Sequence, residues 1–238
     1  MFLQFTRAAV AAFVLWLGST TIDGALEHPD DRPAILLMQQ SEPILQLVDL
    51  TDADGNWNVS VTTVADGITV PGEMSLSQLL WTGEQLYQIG AGTGFREVYA
   101  FQEKDNAWEP TSTAHYRVDD VPVVYQPEFN LLVACGCNEH SDECRVKCQY
   151  RDASDDNSEW HIITPPSDWD MDGWHWQDAA LVSYKDMIFV AAGWHARVKL
   201  SSYNFTNKEW TWLKEMSYHH NSGAGMIVEG DTLTVRFS

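Results

Sequence analysis

Basic side chains are scarce in this chain: 14 Lys and Arg stand against 34 Asp and Glu in 238 residues, a formal charge of −20. Nucleic acid and anionic membrane are polyanions, and binding them needs the clustered Lys and Arg that are missing here. Long apolar runs are missing too. The run from Ala8 to Leu17 covers about half of the ~20 residues a spanning helix requires. Cysteine is limited to four residues, all between Cys135 and Cys148. Nucleophile and phosphate motifs are absent: there is no G-x-S-x-G and no H-E-x-x-H. Gly90-Ala91-Gly92-Thr93-Gly94 has Phe95 where a third fingerprint glycine is needed, and it joins two strands, so it reads as a turn. What is abundant is aromatic and apolar surface. With 45% hydrophobic residues, eleven Trp, nine Phe and eight Tyr, the chain has ample material for a core and is not a disordered polymer.

Arg7, the apolar run Ala8 to Leu17 and the small polar residues Gly18-Ser19-Thr20-Thr21 follow the charge, core and small-residue order of a secretory signal. Residues 1–24 are therefore expected to be a signal peptide cleaved after Thr20 or Gly24, and 25–33 a linker. The mature chain is expected to be secreted and extracellular, with no membrane span.

The remainder is a repeat. Trp57, Trp108, Trp160 and Trp210 recur about every 51 residues, enough for four short strands and their turns. Each is preceded by the same order: an apolar run, a turn, a second apolar run ending in small residues, a polar loop and a β-rich run. In the second unit these are Leu79-Leu80-Trp81, Leu86 to Gly90 and Val98 to Phe101; in the fourth they are Ala180-Leu181-Val182, Met187 to Gly193 and Val198 to Tyr203. Short runs at even spacing without helical periodicity predict an all-β fold.

This grammar resembles the kelch repeat, whose pattern is a strand ending in paired glycines, an aromatic about seven residues before a Trp, and a period near fifty. Phe101 to Trp108 and Tyr203 to Trp210 keep the aromatic step, and Tyr150 to Trp160 lengthens it through Asp152-Ala153-Ser154-Asp155-Asp156. Gly90-Ala91, Cys135-Gly136 and Ala192-Gly193 each retain one glycine of the pair. The resemblance covers residues 34–238, in units 34–70, 71–118, 119–170, 171–221 and a partial 222–238. It implies a kelch-type β-propeller of four-stranded antiparallel blades, about four of them, in an incomplete ring. The first unit offers no innermost strand, and the last offers only Gly225 to Val228 and Thr232 to Phe237. Open propeller edges would allow self-association. The recurring Trp residues are expected to be repeat core.

Cys135, Cys137, Cys144 and Cys148 flank one predicted hairpin. Residues two apart on a strand share a face, so the pairs can meet across the hairpin. Secretion makes two disulfides the default, and nested pairing of Cys135 with Cys148 and Cys137 with Cys144 fits antiparallel geometry best. Crossed and sequential connectivities remain open, as does a zinc site with His140. Asp168, Asp170 and Asp172 before Gly173 place carboxylates at alternate positions, a pattern that can wrap Ca²⁺, although Ala179 stands where such a loop wants Glu. No other cofactor is expected. Asn58-Val59-Ser60 and Asn204-Phe205-Thr206 are N-glycosylation sequons.

Because strands alternate in direction, the loops between second and third strands emerge on the same edge as the loops leading to the next unit. That edge collects Arg96, Trp174, His175, Trp176, Trp194, His195, Arg197, His219 and His220. Aromatic, imidazole and guanidinium groups on rigidly held loops make a recognition face. The expected function is a secreted binding module for a protein or glycan, without catalytic residues. The alternative is a propeller enzyme acting on carbohydrate, of the galactose-oxidase copper type or the sugar mutarotase type. The copper chemistry calls for a lone Cys beside Tyr, whereas every Cys here sits in one hairpin.

Overall fold

The computed structural model describes residues 15–17, 34–39, 44–53, 56–65 and 77–237, except 93, 120, 138–143, 168–175, 177–178, 192–198, 214 and 216–223. The described chain is all-β, with single 3-10 turns at Glu103–Asp105 and Pro127–Phe129. Four antiparallel sheets have four strands each, in sequence order. The first holds β1 (Leu15–Leu17), β2 (Ala34–Gln39), β3 (Ile44–Ala53) and β4 (Asn56–Ala65). The second holds β5 (Gln78–Trp81), β6 (Leu86–Ala91), β7 (Glu97–Gln102) and β8 (Ala107–Thr113). The third holds β9 (Val123–Gln126), β10 (Leu131–Cys135), β11 (Cys148–Asp152) and β12 (His161–Ile163). The fourth holds β13 (Ala180–Tyr184), β14 (Met187–Ala191), β15 (Leu200–Asn204) and β16 (Glu209–Trp212). A two-stranded hairpin follows, β17 (Ala224–Glu229) and β18 (Thr232–Phe237).

The leading strands touch in series: β1 meets β5, β5 meets β9, β9 meets β13 and β13 meets β17. Among the described residues the series is not closed into a ring. β1 departs from expectation. Leu15–Leu17, taken from the apolar run read as a signal, pairs with Ala34–Leu36 and occupies the innermost position that the first unit lacked. As the edge strand of the first sheet it pairs one side of its backbone with β2, a role open to an apolar run as long as that run stays in the chain. Among the described residues, no helix is long and apolar enough to cross a membrane.

Both faces of each inner sheet are buried, which explains why strands such as Leu131-Leu132-Val133-Ala134-Cys135 are apolar without alternation. Strand periodicity then divides the run. Leu132 and Ala134 pack with Tyr87, Ile89, Val98 and Ala100 of the second sheet, together with Trp160. Leu131, Val133 and Cys135 pack with Ile188, Val190 and Tyr203 of the fourth.

The repeat Trp residues sit where the spacing places them, at or just before the fourth strand. Trp57 lies opposite Asp52, Trp108 opposite Phe101 and Trp210 opposite Tyr203. In the last two pairs the ring centroids are 5.3 Å and 5.2 Å apart. Trp160 bridges sheets, its indole Nε1 donating to Ser112 Oγ at 3.1 Å.

The third unit departs from the aromatic step. Its ladder pairs Tyr150 with His161, so the residue that continues it toward Trp160 is Arg151. Tyr150 instead turns its face to the fourth sheet, against Phe205. The longer loop between β11 and β12 moves the register, and a fully buried guanidinium occupies the slot that Phe101 and Tyr203 fill elsewhere. Arg151 Nη1 donates to the Asp155 carbonyl at 3.0 Å and Nη2 to Thr111 Oγ1 at 3.2 Å. Its Cζ lies 5.4 Å from the centre of the Tyr87 ring. Burial holds the guanidinium below its ordinary range, with Tyr87 and Asp156 acting against that. Burial also raises the Tyr87 phenol, whose hydroxyl donates to the Ala153 carbonyl at 2.8 Å.

Arg151→Ala should cost about 2–4 kcal/mol, through the cavity it leaves, while the Asp155 carbonyl keeps the Ser158 N–H at 2.9 Å. Arg151→Leu fills the slot and removes a desolvated charge, so it should stay within about 1 kcal/mol of the parent. Urea unfolding of both variants separates the two outcomes. Equal stability of the Ala and Leu variants would mean that the side chain contributes no packing.

The retained glycines have one shared role. Gly90 (φ +85°) and Gly136 (φ +94°) each end a second strand in the left-handed region. A Cβ on Gly90 would lie 2.8 Å from the Val118 carbonyl oxygen, and one on Gly136 would lie 3.0 Å from the Trp176 carbonyl carbon. In both units the loop returning to the next sheet crosses the strand end, and only glycine leaves it room.

Candidate functional site

The edge carrying the loops after second and fourth strands is organised by buried polar side chains. Gln149 of β11 is buried, and its Oε1 accepts from the backbone N–H groups of His115 and Tyr116 at 3.0 and 3.2 Å. Its Nε2 donates to the Tyr116 carbonyl at 3.2 Å. One amide of the third sheet thus satisfies three backbone groups of the loop leaving the second. His115 Nε2 lies 2.6 Å from the Trp160 carbonyl oxygen and adds a second tie. On the opposite edge Gln126 does the equivalent between the third and fourth sheets, donating to the carbonyls of Lys185 and Met187 at 2.8 and 3.0 Å. Buried polar groups satisfied across an interface fix which groups must meet, and so hold register as well as proximity.

On that scaffold Arg117 makes two hydrogen bonds to the buried Asp119 carboxylate, Nε to Oδ1 at 3.0 Å and Nη2 to Oδ2 at 2.8 Å. Its Cζ stands 4.7 Å from the centre of the Phe95 ring. The fork to the carboxylate and the stack on the ring define the guanidinium plane from two directions. Val118 N–H donates to the Phe95 carbonyl at 2.9 Å and Ala114 N–H to the Arg96 carbonyl at 2.8 Å, tying the two loops together. Lys147 Nζ lies 6.0 Å from the centre of the Tyr116 ring.

The neighbouring loop is stapled twice. Cys135 and Cys148 are direct partners in the β10–β11 ladder, with Cα atoms 4.0 Å apart, and are bonded. Cys137 and Cys144 form the second disulfide, Cα to Cα 5.7 Å, leaving no free cysteine. The ladder register cannot carry both pairs. A turn beginning at Cys144, closed by Lys147 N–H to the Cys144 carbonyl at 3.0 Å, absorbs the difference.

Of the expected recognition face, Arg96 lies half-buried on this edge. Trp176 does not belong to the face. It is 2% exposed, its N–H donates to the Arg145 carbonyl at 2.9 Å, and its ring centroid lies 5.4 Å from that of Trp210. The third and fourth sheets close over it, so it is core. Trp174, His175, Trp194, His195, Arg197, His219 and His220 lie outside the described residues, as do the calcium candidates Asp168, Asp170 and Asp172. Asn58 is in β4 opposite Thr51, and Asn204 ends β15 opposite Met187. Among the described residues, no three His, Cys, Asp or Glu side chains are grouped to hold a metal.

Sequence reasoning passed over Phe95, His115, Tyr116, Arg117, Asp119 and Gln149. A signal existed for Gln149 alone, a polar residue inside a strand otherwise read as core. No protein-family model matches the chain, and no curated protein matches it.

Proposed function

We propose that the chain is a secreted kelch-type propeller, or a piece of one, that binds a protein or glycan on the edge where residues 94–96, 114–119 and 144–147 lie. The fold reading is supported by the serial contact of leading strands, the glycine at the second-strand end of the second and third sheets and the Trp at each fourth strand. The binding reading rests on one observation: the Arg117 guanidinium is held in a defined plane, between Phe95 and Asp119, on loops tied to each other by backbone hydrogen bonds and to the third sheet by Gln149. Preorganised aromatic and guanidinium groups lose little conformational entropy on binding, which is where affinity is gained. Tyr116 and Phe95 present rings that suit sugar CH faces or apolar side chains, and Arg117 supplies a fixed guanidinium.

The purified secreted chain is screened on arrays of glycans and of extracellular protein domains. A ligand is expected whose Kd rises about tenfold in Tyr116→Ala and in Arg117→Lys, which keeps the charge but loses the fork. Lys208→Ala, on the opposite edge, should leave that Kd unchanged. Binding indifferent to the first two substitutions would overturn the assigned edge. Stoichiometric copper or turnover of sugars would overturn the binding-module reading.

A further inference from the structure

The face of the fourth sheet turned away from the third has two halves of different chemistry. Alternation assigns Val182 and Tyr184 of β13 and Met187 and Phe189 of β14 to the inner half, since Leu181, Ile188 and Val190 face the third sheet. The C-terminal hairpin covers this half: β17 touches β13, and the Tyr184 hydroxyl donates to Asp231 Oδ1 at 2.7 Å. Registers place Ser202, Asn204, Glu209 and Thr211 on the outer half, because Tyr203 faces the third sheet. Glu209 and Thr211 are exposed.

We propose that the outer margin of this half, formed by Asn204, Glu209 and Thr211, is a solvent-facing, glycan-bearing surface, with an N-linked glycan on Asn204, and not a seat for a further strand; Ser202, farther in, is buried. The proposal rests on the reading of the chain as secreted. Asn204 lies at the start of the turn joining β15 to β16, with Thr206, Asn207 and Lys208 exposed beside it. Its Nδ2 donates to Asp186 Oδ2 at 2.7 Å, and its Oδ1 accepts from the N–H groups of Thr206 and Asn207 at 2.8 and 3.0 Å. Transfer from a lipid-linked oligosaccharide diphosphate breaks the sugar C1–O bond to phosphate and forms C1–Nδ2. Nδ2 gives up one proton and the lipid diphosphate leaves. The remaining Nδ2 hydrogen still serves Asp186, and Oδ1 is unchanged, so the glycosylated residue keeps every hydrogen bond of the turn. A sugar there stands over Glu209 and Thr211, the polar positions that no strand covers.

The test uses Thr206→Ala, which removes the sequon hydroxyl and leaves all three Asn204 hydrogen bonds in place. Parent and variant are expressed in eukaryotic cells with their own N-terminus, and again with residues 1–24 replaced by an unrelated secretory signal. Peptide mass spectrometry before and after peptide-N-glycosidase should show a glycan on the Asn204 peptide of the parent and none in the variant. The two forms should unfold at the same temperature. An Asn204 peptide wholly unmodified in protein exported by the unrelated signal overturns the proposal, as does a glycosylated form that melts well below the variant. Failure to be exported by its own N-terminus alone counts against the secretion reading and leaves the site to be decided by the second arm.

Discussion

Trp176→Ala should lower the stability of the protein by about 3–5 kcal/mol, the range for truncating a buried aromatic in a core that relaxes only in part. Domain stabilities lie at about 5–15 kcal/mol, so the variant retains little margin. The cause is specific. The indole packs with Val133, Cys135 and Cys148 of the third sheet, Ile188 and Tyr203 of the fourth, and Trp210. Removing it opens a void between the third and fourth sheets. Thermal unfolding followed by circular dichroism should show a midpoint lower by on the order of 10 °C. Ile162→Ala provides the contrast: Ile162 is 42% exposed on β12, and its truncation should change stability by less than about 0.5 kcal/mol. If the two variants unfold together, Trp176 is not the keystone described. A ligand whose affinity falls in Trp176→Ala at a temperature where the variant is fully folded would return that residue to the binding face.

Replacing Cys135 and Cys148 together by Ala should cost about 3 kcal/mol, the value for a cross-link closing a loop of about 15 residues. The separation here is 13. Ala is the right substitute because both sulfurs lie in the apolar cluster between the third and fourth sheets, where a Ser hydroxyl would be buried unpaired. Cys137 and Cys144, seven apart, close a shorter loop, and their double Ala variant should lose less, by about 0.5 kcal/mol on loop entropy alone. Guanidinium denaturation of the two double variants under non-reducing conditions ranks them. Free thiols found by alkylation of the denatured, unreduced parent, or a peptide map joining Cys135 to Cys144, would refute the nested pairing on which this order depends.

The contrast between Gln149 and the residues it holds shows why part of the site was illegible. A strand with Gln between Cys148 and Tyr150 announces a buried polar group, yet nothing local names its partners, His115 and Tyr116, more than thirty residues earlier. Arg117 and Asp119 look like ordinary solvated loop charges until Gly90 lets their loop cross the strand end and Phe95 comes under the guanidinium. Trp176 failed in the other direction. Its loop carries Trp and His in a pattern suited to recognition, while the glycine at 136 that admits it to the core lies forty residues away.

The sequence by itself determined the strand grammar and the repeat of about 51 residues and made nested pairing the best fit for the cysteines, while the structure selects that pairing over the crossed and sequential ones. These follow from local rules: alternation along a strand, turn residues between strands, and the short distance across one hairpin. Tertiary structure alone decided that Leu15–Leu17 can fill an innermost strand, that Arg151 stands in an aromatic slot, and which edge holds a fixed guanidinium. The reason is that alternation tells which residues share a face but not what that face meets. In sheets buried on both sides, apolar character is spent on both faces alike, and only the packing of neighbouring sheets distinguishes a core tryptophan from an exposed one or a clamping amide from a solvated one.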